Sequence, residues 1–457
     1  MSASEMGVVH LADWLKNLLG VRALIQGHSS RDERQTASDI SLPRSDDSPL
    51  NTPLPDEEIE TKQEIPGPLP SEEINTKHEI PRQIYSGFSV GARGVRGGAR
   101  GIRILSLDGG GIRGLLLLQT LEKLEARIGR PIQHCFDIIV GTSTGGVVAL
   151  ALSIGISLEV IKGLYSDLME AIAISAFSAE WKRLTTGVSH DTNKAVEVLQ
   201  RYFPPHLKLS SHSPSGCAVA VVTTLASVTP LTPFLFKNYS HGEEDGGIAK
   251  DIAAKEGKSL GAPVASSTSS SSPPPTSPPP FSEISHTAPL WVAARATSSA
   301  PTYYDVCEYQ GHKFVDGALF ANNPTLFGLG EAKQLFPHRE VEVCVSVGTG
   351  RLAPRSSPPP QYLFNWSLAV LDCCTSPSVP HLVARQLLSV ERSPGGENPR
   401  QHKQQRRYWR FDPPLSEVPN IADCDRSKLK AMQEEGAAYL EGVQEKIEGL
   451  AVRLRPL

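Results

Sequence analysis

The chain has 457 residues, of which 21% are charged and 39% apolar, and a formal net charge of −4; this suffices for one large α/β domain with additions or for two medium domains. Charges of both signs are interspersed, which argues against an electrostatic hold on nucleic acid. The seven cysteines (Cys135, Cys217, Cys307, Cys344, Cys373, Cys374 and Cys424) are scattered and none has Cys-x-x-Cys spacing, so they read as reduced thiols of a cytoplasmic protein rather than zinc ligands or disulfides.

In residues 1–26, Leu11, Trp14, Leu15, Leu18, Leu19 and Ile25 form an apolar stripe at helical spacing, which predicts an amphipathic helix. Asp13, Lys16 and Arg22 interrupt the apolar run from Val8 to Ile25, so neither a secretory signal nor a membrane span is expected here, and no later run is long and apolar enough to cross a bilayer. Its expected role is packing on the main domain or on a protein partner, because an interfacial helix usually carries more basic residues. Residues 27–100 are polar and proline-containing, the composition of a disordered linker. Within them Leu54 to Pro66 is nearly repeated as Leu69 to Pro81; two copies do not make a solenoid.

From residue 101 the pattern changes. Ile102 to Leu107 is a strand-like run ending at Asp108, then Gly109-Gly110-Gly111-Ile112-Arg113-Gly114 leads into a helix marked by Leu117, Leu121, Leu124 and Ile128. Phe136 to Val140 is a second short buried strand, followed by Gly141-Thr142-Ser143-Thr144-Gly145-Gly146 and an apolar helix face at Val147, Val148, Ala151 and Ile154. Two parallel strands with a crossover helix follow from that order.

Helical patterns at Leu158 to Met169 and Asn193 to Tyr202 precede strand-like runs at Ala218 to Val222 and Phe234 to Phe236. Ser266 to Pro280 contains only serine, threonine and proline, which places a solvated insertion near 240–283. Gly311 to Val315 reads as a strand entering Asp316-Gly317-Ala318, and Thr325 to Leu335 as a helix capped by Asn322 or Asn323. Val341 to Val347 and Tyr408 to Phe411 read as further strands, with a helical patch near His381 to Val390 between them. Leu429, Met432, Leu440, Val443, Ile447 and Leu450 predict one final amphipathic helix. The reading is thus a domain over 101–335 completed by 336–457.

The second glycine corner has the Gly-x-Ser-x-Gly spacing of a nucleophile elbow, where a serine on a sharp strand-to-helix turn needs small residues two positions either side. A serine hydroxyl needs a base to take its proton and donors to receive the oxyanion. The consecutive glycines of the first corner suit the second task, because bare amides can converge there and Arg113 adds positive charge. A dinucleotide fingerprint fits less well, since the strand that should end in an acidic residue ends in the turn of Ser143. A Walker loop is excluded by the missing Gly-Lys-Ser/Thr. For the base, Asp245 lies in a polar run and reads as a surface turn. Asp316 closes an apolar strand and, in a parallel sheet, would share the edge with the glycine corners; a simple hairpin turn is its alternative role.

Taken together, Asp108 to Gly114, Gly141 to Gly146 and Asp316-Gly317-Ala318, in that order, resemble the three motifs of patatin-like phospholipases. Arg295 to Tyr304 and Val345 to Gly350 also resemble family segments. The resemblance covers about 103–411. It implies a three-layer α/β sandwich with a mainly parallel sheet and lipid acyl hydrolysis by a Ser143–Asp316 dyad, without metal or cofactor. Ser143 would be the nucleophile and Asp316 the proton acceptor. Gly109, Gly110, Gly111, Ile112, Arg113 and Gly114 would form the oxyanion and substrate-binding loop, the amides from Gly109 to Arg113 holding the oxyanion, with Asp108, Gly141, Gly145, Gly317 and Ala318 as supporting motif positions. The implied partners are an acyl-ester lipid and a membrane surface touched peripherally. Two competitors remain: a Ser-Asp-His triad drawing on His338, His381 or His402, and a lipid-binding module without chemistry. Leu115, Leu116, Val147 and Phe320 are candidate acyl-chain contacts.

Overall fold

The computed structural model describes residues 100–186, 191–210, 216–240, 281–352, 369, 372–389 and 407–455. The expected N-terminal helix, the duplicated linker, Asp245 and nearly all of the serine–proline insertion lie outside the described residues.

The sheet is built around β1 (Ile102–Leu107), which pairs in parallel with β2 (Ile138–Thr142) on one side and with β7 (Val341–Val347) on the other. β2 pairs in parallel with β3 (Ala218–Leu225), and β7 with β9 (Tyr408–Phe411). The chain thus leaves β1 in one direction and later returns to its other edge, a reversal that opens a crevice beyond the carboxyl ends of the strands. The remaining members are antiparallel: β4 (Thr232–Lys237) and β6 (His312–Asp316) pair with β3, and β5 (Cys307–Tyr309) pairs with β6. A separate two-residue ladder joins β8 (Arg351–Leu352) to β10 (Pro414–Leu415).

Alternation along the strands makes three layers. Leu105 and Leu107 of β1, Ile139 of β2, Val219 and Val221 of β3 and Val343, Val345 and Val347 of β7 are buried with one set of helices. That set includes α1 (Gly114–Ile128), α2 (Thr144–Ser153), α3 (Leu158–Thr186), α4 (Thr192–Tyr202), α5 (Phe281–Thr287) and α6 (Leu290–Thr297). Ile102, Ile104, Ile138 and Cys344 point to the opposite face. There α7 (Ala318–Ala321), α8 (Thr325–Leu335) and α9 (Ser378–Leu387) cover the sheet. Strands covered on both faces read as continuous apolar runs, as β1 to β3 do.

Two expectations are corrected here. The apolar spacing from Leu429 to Leu450 belongs to two helices, α10 (Arg426–Gly442) and α11 (Gln444–Leu454), because Val443 leaves the helical region at φ −118°. Gly442, a poor helix former, precedes the break. Both helices pack on α1, so one period runs through two elements. Asp316, in turn, is on an antiparallel strand rather than a parallel one, and reaches the glycine corners by another route.

Candidate active site

β2 pairs Thr142 with Val222, and β6 pairs Asp316 with Thr223, the next residue of β3. β4 occupies the opposite edge of β3 over the same residues, so β2 and β6 share one edge and abut end to end. Their carboxyl termini therefore meet. Ser143 follows β2 directly, and its Oγ donates a 2.7 Å hydrogen bond to Asp316 Oδ2.

The turn that holds Ser143 is strained. Its φ of 52° and ψ of −124° lie where a side chain is unfavourable. A serine at a helix N-terminus ordinarily turns its hydroxyl onto the amides of the first turn; this geometry makes no such bond and gives the oxygen to Asp316. The flanking glycines are required by space. A Cβ on Gly141 would lie 2.3 Å from the Gly145 carbonyl oxygen, and one on Gly145 2.2 Å from that of Leu107.

Two further residues fix the pair. Thr297, the last residue of α6, accepts a 2.9 Å hydrogen bond from the Ser143 amide through Oγ1 and donates one of 2.6 Å to the Val222 carbonyl. Ala318 N donates to Asp316 Oδ1 at 2.8 Å. Asp316 is 4% exposed, and burial pushes its carboxyl up to about 6 against the lowering effect of the Ala318 amide and the Ser143 hydroxyl. Both carboxylate oxygens are thus engaged, neither by a histidine. Among the candidate histidines, His381 makes a 3.1 Å contact with the Tyr408 hydroxyl through Nδ1, and His402 lies outside the described residues.

The first glycine corner lies beside this pair at the end of β1. Its amides are not equivalent. Gly109 N donates to Asn322 O and Ile112 N to Ile421 O, both at 2.9 Å, while Arg113 N turns back to Gly110 O. Gly114 N bonds within its own turn. Among the described residues, Gly110 and Gly111 keep amides without an intramolecular acceptor. Arg113 stays over the loop through Nε to Gly110 O at 3.2 Å, and burial lowers its pKa.

Behind the loop, Asp108 Oδ2 and Asp412 Oδ2 share the Arg410 guanidinium at 2.6 and 2.9 Å. Burial raises Asp108 to about 7, with Asp412 adding to the effect and Arg410 opposing it. The same two carboxylates hold the proton on Arg410 and raise its pKa. Asp108 Oδ1 is buried without a partner among the described residues.

Two spaces open on Ser143. One is an apolar cavity of about 90 Å³ among Ile112, Val147, Leu168, Leu199 and Tyr304. The other is a cleft of about 1720 Å³ that also reaches Gly110, Asp316, Arg113 and Arg410. Of the four candidate acyl contacts, Val147 lines the cavity; Leu115 and Leu116 are buried in the core, and Phe320 is exposed. Thr297 had no individual signal in the sequence, though it falls in the segment from Arg295 to Tyr304. The candidate lining residues Leu168 and Leu199 read only as helix faces.

The class of domain so defined is an α/β fold whose sheet reverses at β1 and whose serine elbow faces a buried carboxylate at the crevice. The model of the patatin-like phospholipase family matches residues 105–328, so this part of the chain is similar to that family. It is 32% identical to phospholipase A I of Arabidopsis thaliana over 280 residues, 56% of this chain and 21% of that protein. It is 27% identical to the human calcium-independent phospholipase A2-gamma over 363 residues, 77% of this chain and 40% of that protein. The chain thus spans well under half the length of these curated relatives. Among solved structures, VipD from Legionella pneumophila aligns with a TM-score of 0.33 at 11% identity, covering 75% of this chain and 67% of that one.

Proposed function

We propose that the protein is a serine-dependent lipid acyl hydrolase of phospholipase A type, working at a membrane surface. The 2.7 Å hydrogen bond from Ser143 Oγ to a buried Asp316 of raised pKa carries this reading. The match of residues 105–328 to the patatin-like phospholipase model and the phospholipase names of the relatives support it. Among the described residues no helix is long and apolar enough to cross a bilayer.

At neutral pH the Asp316 carboxylate takes the Ser143 proton as Oγ attacks the ester carbonyl, and the new oxyanion faces the amides of Gly110 and Gly111. The N-terminus of α2 adds its dipole at the same point. Collapse expels the alcohol of the lysolipid, which takes the proton from Asp316 and leaves an acyl-serine. Asp316 then deprotonates water, which attacks the acyl carbonyl; the fatty acid leaves as the proton returns to Ser143. The acyl chain fits the cavity at Val147 and Leu168, and the polar head the cleft near Arg113.

A fluorophosphonate probe tests the assignment. The wild-type chain should be labelled and Ser143→Ala should not, while purified protein releases fatty acid from phosphatidylcholine, also with EDTA present as the names of the calcium-independent relatives suggest. An unlabelled wild-type protein that still binds the lipid would instead be a binding module.

A further inference from the structure

The cleft is bordered by an apolar stripe that the fold leaves exposed. α9 is anchored on its inner side by Ala384, and Leu388 just beyond its end is buried with it, both in the cluster of Ala332 and Tyr408. On the outer side Val379, Val383 and Leu387 recur every fourth residue, at 66%, 37% and 64% exposure. That spacing puts them on one helix face. Leu382, also exposed, continues from the stripe into the cleft wall beside His381 and Arg385. On the same cleft Leu352 is an exposed apolar lining residue, and exposed Phe320 follows Ala318 and Leu319, which line it. Exposed apolar side chains scattered singly need no explanation; here four of the large ones, Val379, Leu382, Val383 and Leu387, lie together on α9.

Charge at this rim is mixed with a basic excess. Arg351 and Arg385 are exposed there, Arg407 is paired with Glu340, and Asp372 is an exposed acidic residue of the same cleft, whose other carboxylates, Asp108, Asp316 and Asp412, are buried. We propose that the stripe of Val379, Val383 and Leu387 is the face on which the protein seats on an anionic lipid surface, with the cleft mouth held against the bilayer. The proposal rests on the acyl-hydrolase reading for what enters the cleft. A lipid has to pass from its bilayer to Ser143, and an apolar ridge continuous with the cleft wall shortens the exposure of its chains to water. Apolar side chains enter the acyl boundary while arginines beside them meet lipid phosphates. That combination favours a bilayer over a second copy of the chain.

The test uses full-length protein carrying Ser143→Ala, so that lipid is bound without being consumed. Sedimentation with phosphatidylcholine vesicles, with and without phosphatidylglycerol, compares it with the same protein carrying Val379→Ser and Leu387→Ser. Neither residue lines the cleft or the cavity, both are exposed, and an unchanged melting temperature certifies the fold. Vesicle binding should weaken at least about tenfold, the scale expected for withdrawing two apolar side chains from a lipid phase. With Ser143 restored, the pair should lower hydrolysis of vesicle lipid by a similar factor and leave hydrolysis of a soluble short-chain ester unchanged. Unchanged vesicle binding would overturn the proposal, as would equal loss on the soluble ester. A lipid-free dimer dissolved by the two substitutions, without loss of vesicle binding, would assign the stripe to self-association instead. Vesicle binding that depends on Val379 and Leu387 in a protein inactive on every ester would support the docking face and remove the hydrolase reading.

Discussion

Ser143 and Asp316, 173 positions apart, meet across 2.7 Å because β2 and β6 run toward each other along one edge of β3 and stop one residue apart. The contact is built by the backbone ladder itself. Asp316 is held there through its amide to Ser299 O at 3.0 Å and its carbonyl to Thr224 Oγ1 at 2.9 Å.

The first consequence concerns pH. Burial raises Asp316 from 3.8 to about 6, so kcat/KM for a soluble ester should rise with pH through about 6 and level off above it. The native state keeps this proton longer than the unfolded chain, so its contribution to stability is complete below pH 3.8 and declines as pH rises to about 6. Asp316→Asn keeps the acceptor for Ala318 N and removes the buried charge. It should abolish turnover while stabilising the fold at pH 7 by up to roughly 3 kcal/mol, read by denaturant titration at two pH values.

Ser143→Gly separates strain from chemistry. Glycine adopts φ 52°, ψ −124° without a side-chain penalty, so this variant should be inactive yet more stable than wild type, by about 1 kcal/mol or more. Ser143→Ala keeps the strain and should be inactive without that gain. Equal melting temperatures for the two would remove strain from the account of the elbow.

Much of this arrangement was legible in the chain. Apolar runs bounded by glycine corners placed β1, β2 and the helices after them, because strands covered on both faces have nothing polar to interrupt them. The Gly-x-Ser-x-Gly spacing marked the elbow, since the backbone at Gly141 and Gly145 leaves no room for a Cβ. Strand direction is not legible: an apolar run ending in Asp-Gly looks alike in a parallel and an antiparallel strand, so the sequence pattern puts Asp316 at the right edge through a parallel geometry that β6 does not have. Nor could the amides of the glycine loop be told apart. The acceptors that occupy Gly109 and Ile112 come from Asn322 and Ile421, distant in sequence and chosen only by the fold.

Arg410 should prove structural as well as local. It is buried between Asp108 and Asp412 and also donates to Ser346 Oγ at 2.8 Å. Arg410→Met leaves two buried carboxylates without their cation, a loss on the order of 3 to 5 kcal/mol. The expected result is a melting temperature far below wild type that recovers in part at acidic pH, where Asp108, already raised to about 7, is protonated. The double variant Arg410→Met with Asp108→Asn should recover part of the loss at pH 7.

Thr297 supplies the last test, because its role is visible only in three dimensions. Its Oγ1 joins the Ser143 amide to the Val222 carbonyl at 2.9 and 2.6 Å, tying the elbow to β3 next to the strand position that pairs with Asp316. Thr297→Val keeps the shape of the side chain and removes the oxygen, leaving a buried donor and a buried acceptor unpaired at about 1 to 3 kcal/mol. With the elbow released, Ser143 Oγ spends less time within reach of Asp316. The expected outcome is a fall in kcat of about tenfold to a hundredfold with KM for a soluble ester nearly unchanged, since misplacement by a fraction of an ångström acts on the reacting geometry more than on binding. Thr297→Ser restores the oxygen and should restore most of kcat; a serine variant as slow as the valine one would show that the methyl contact, and not the hydrogen-bond relay, holds the turn.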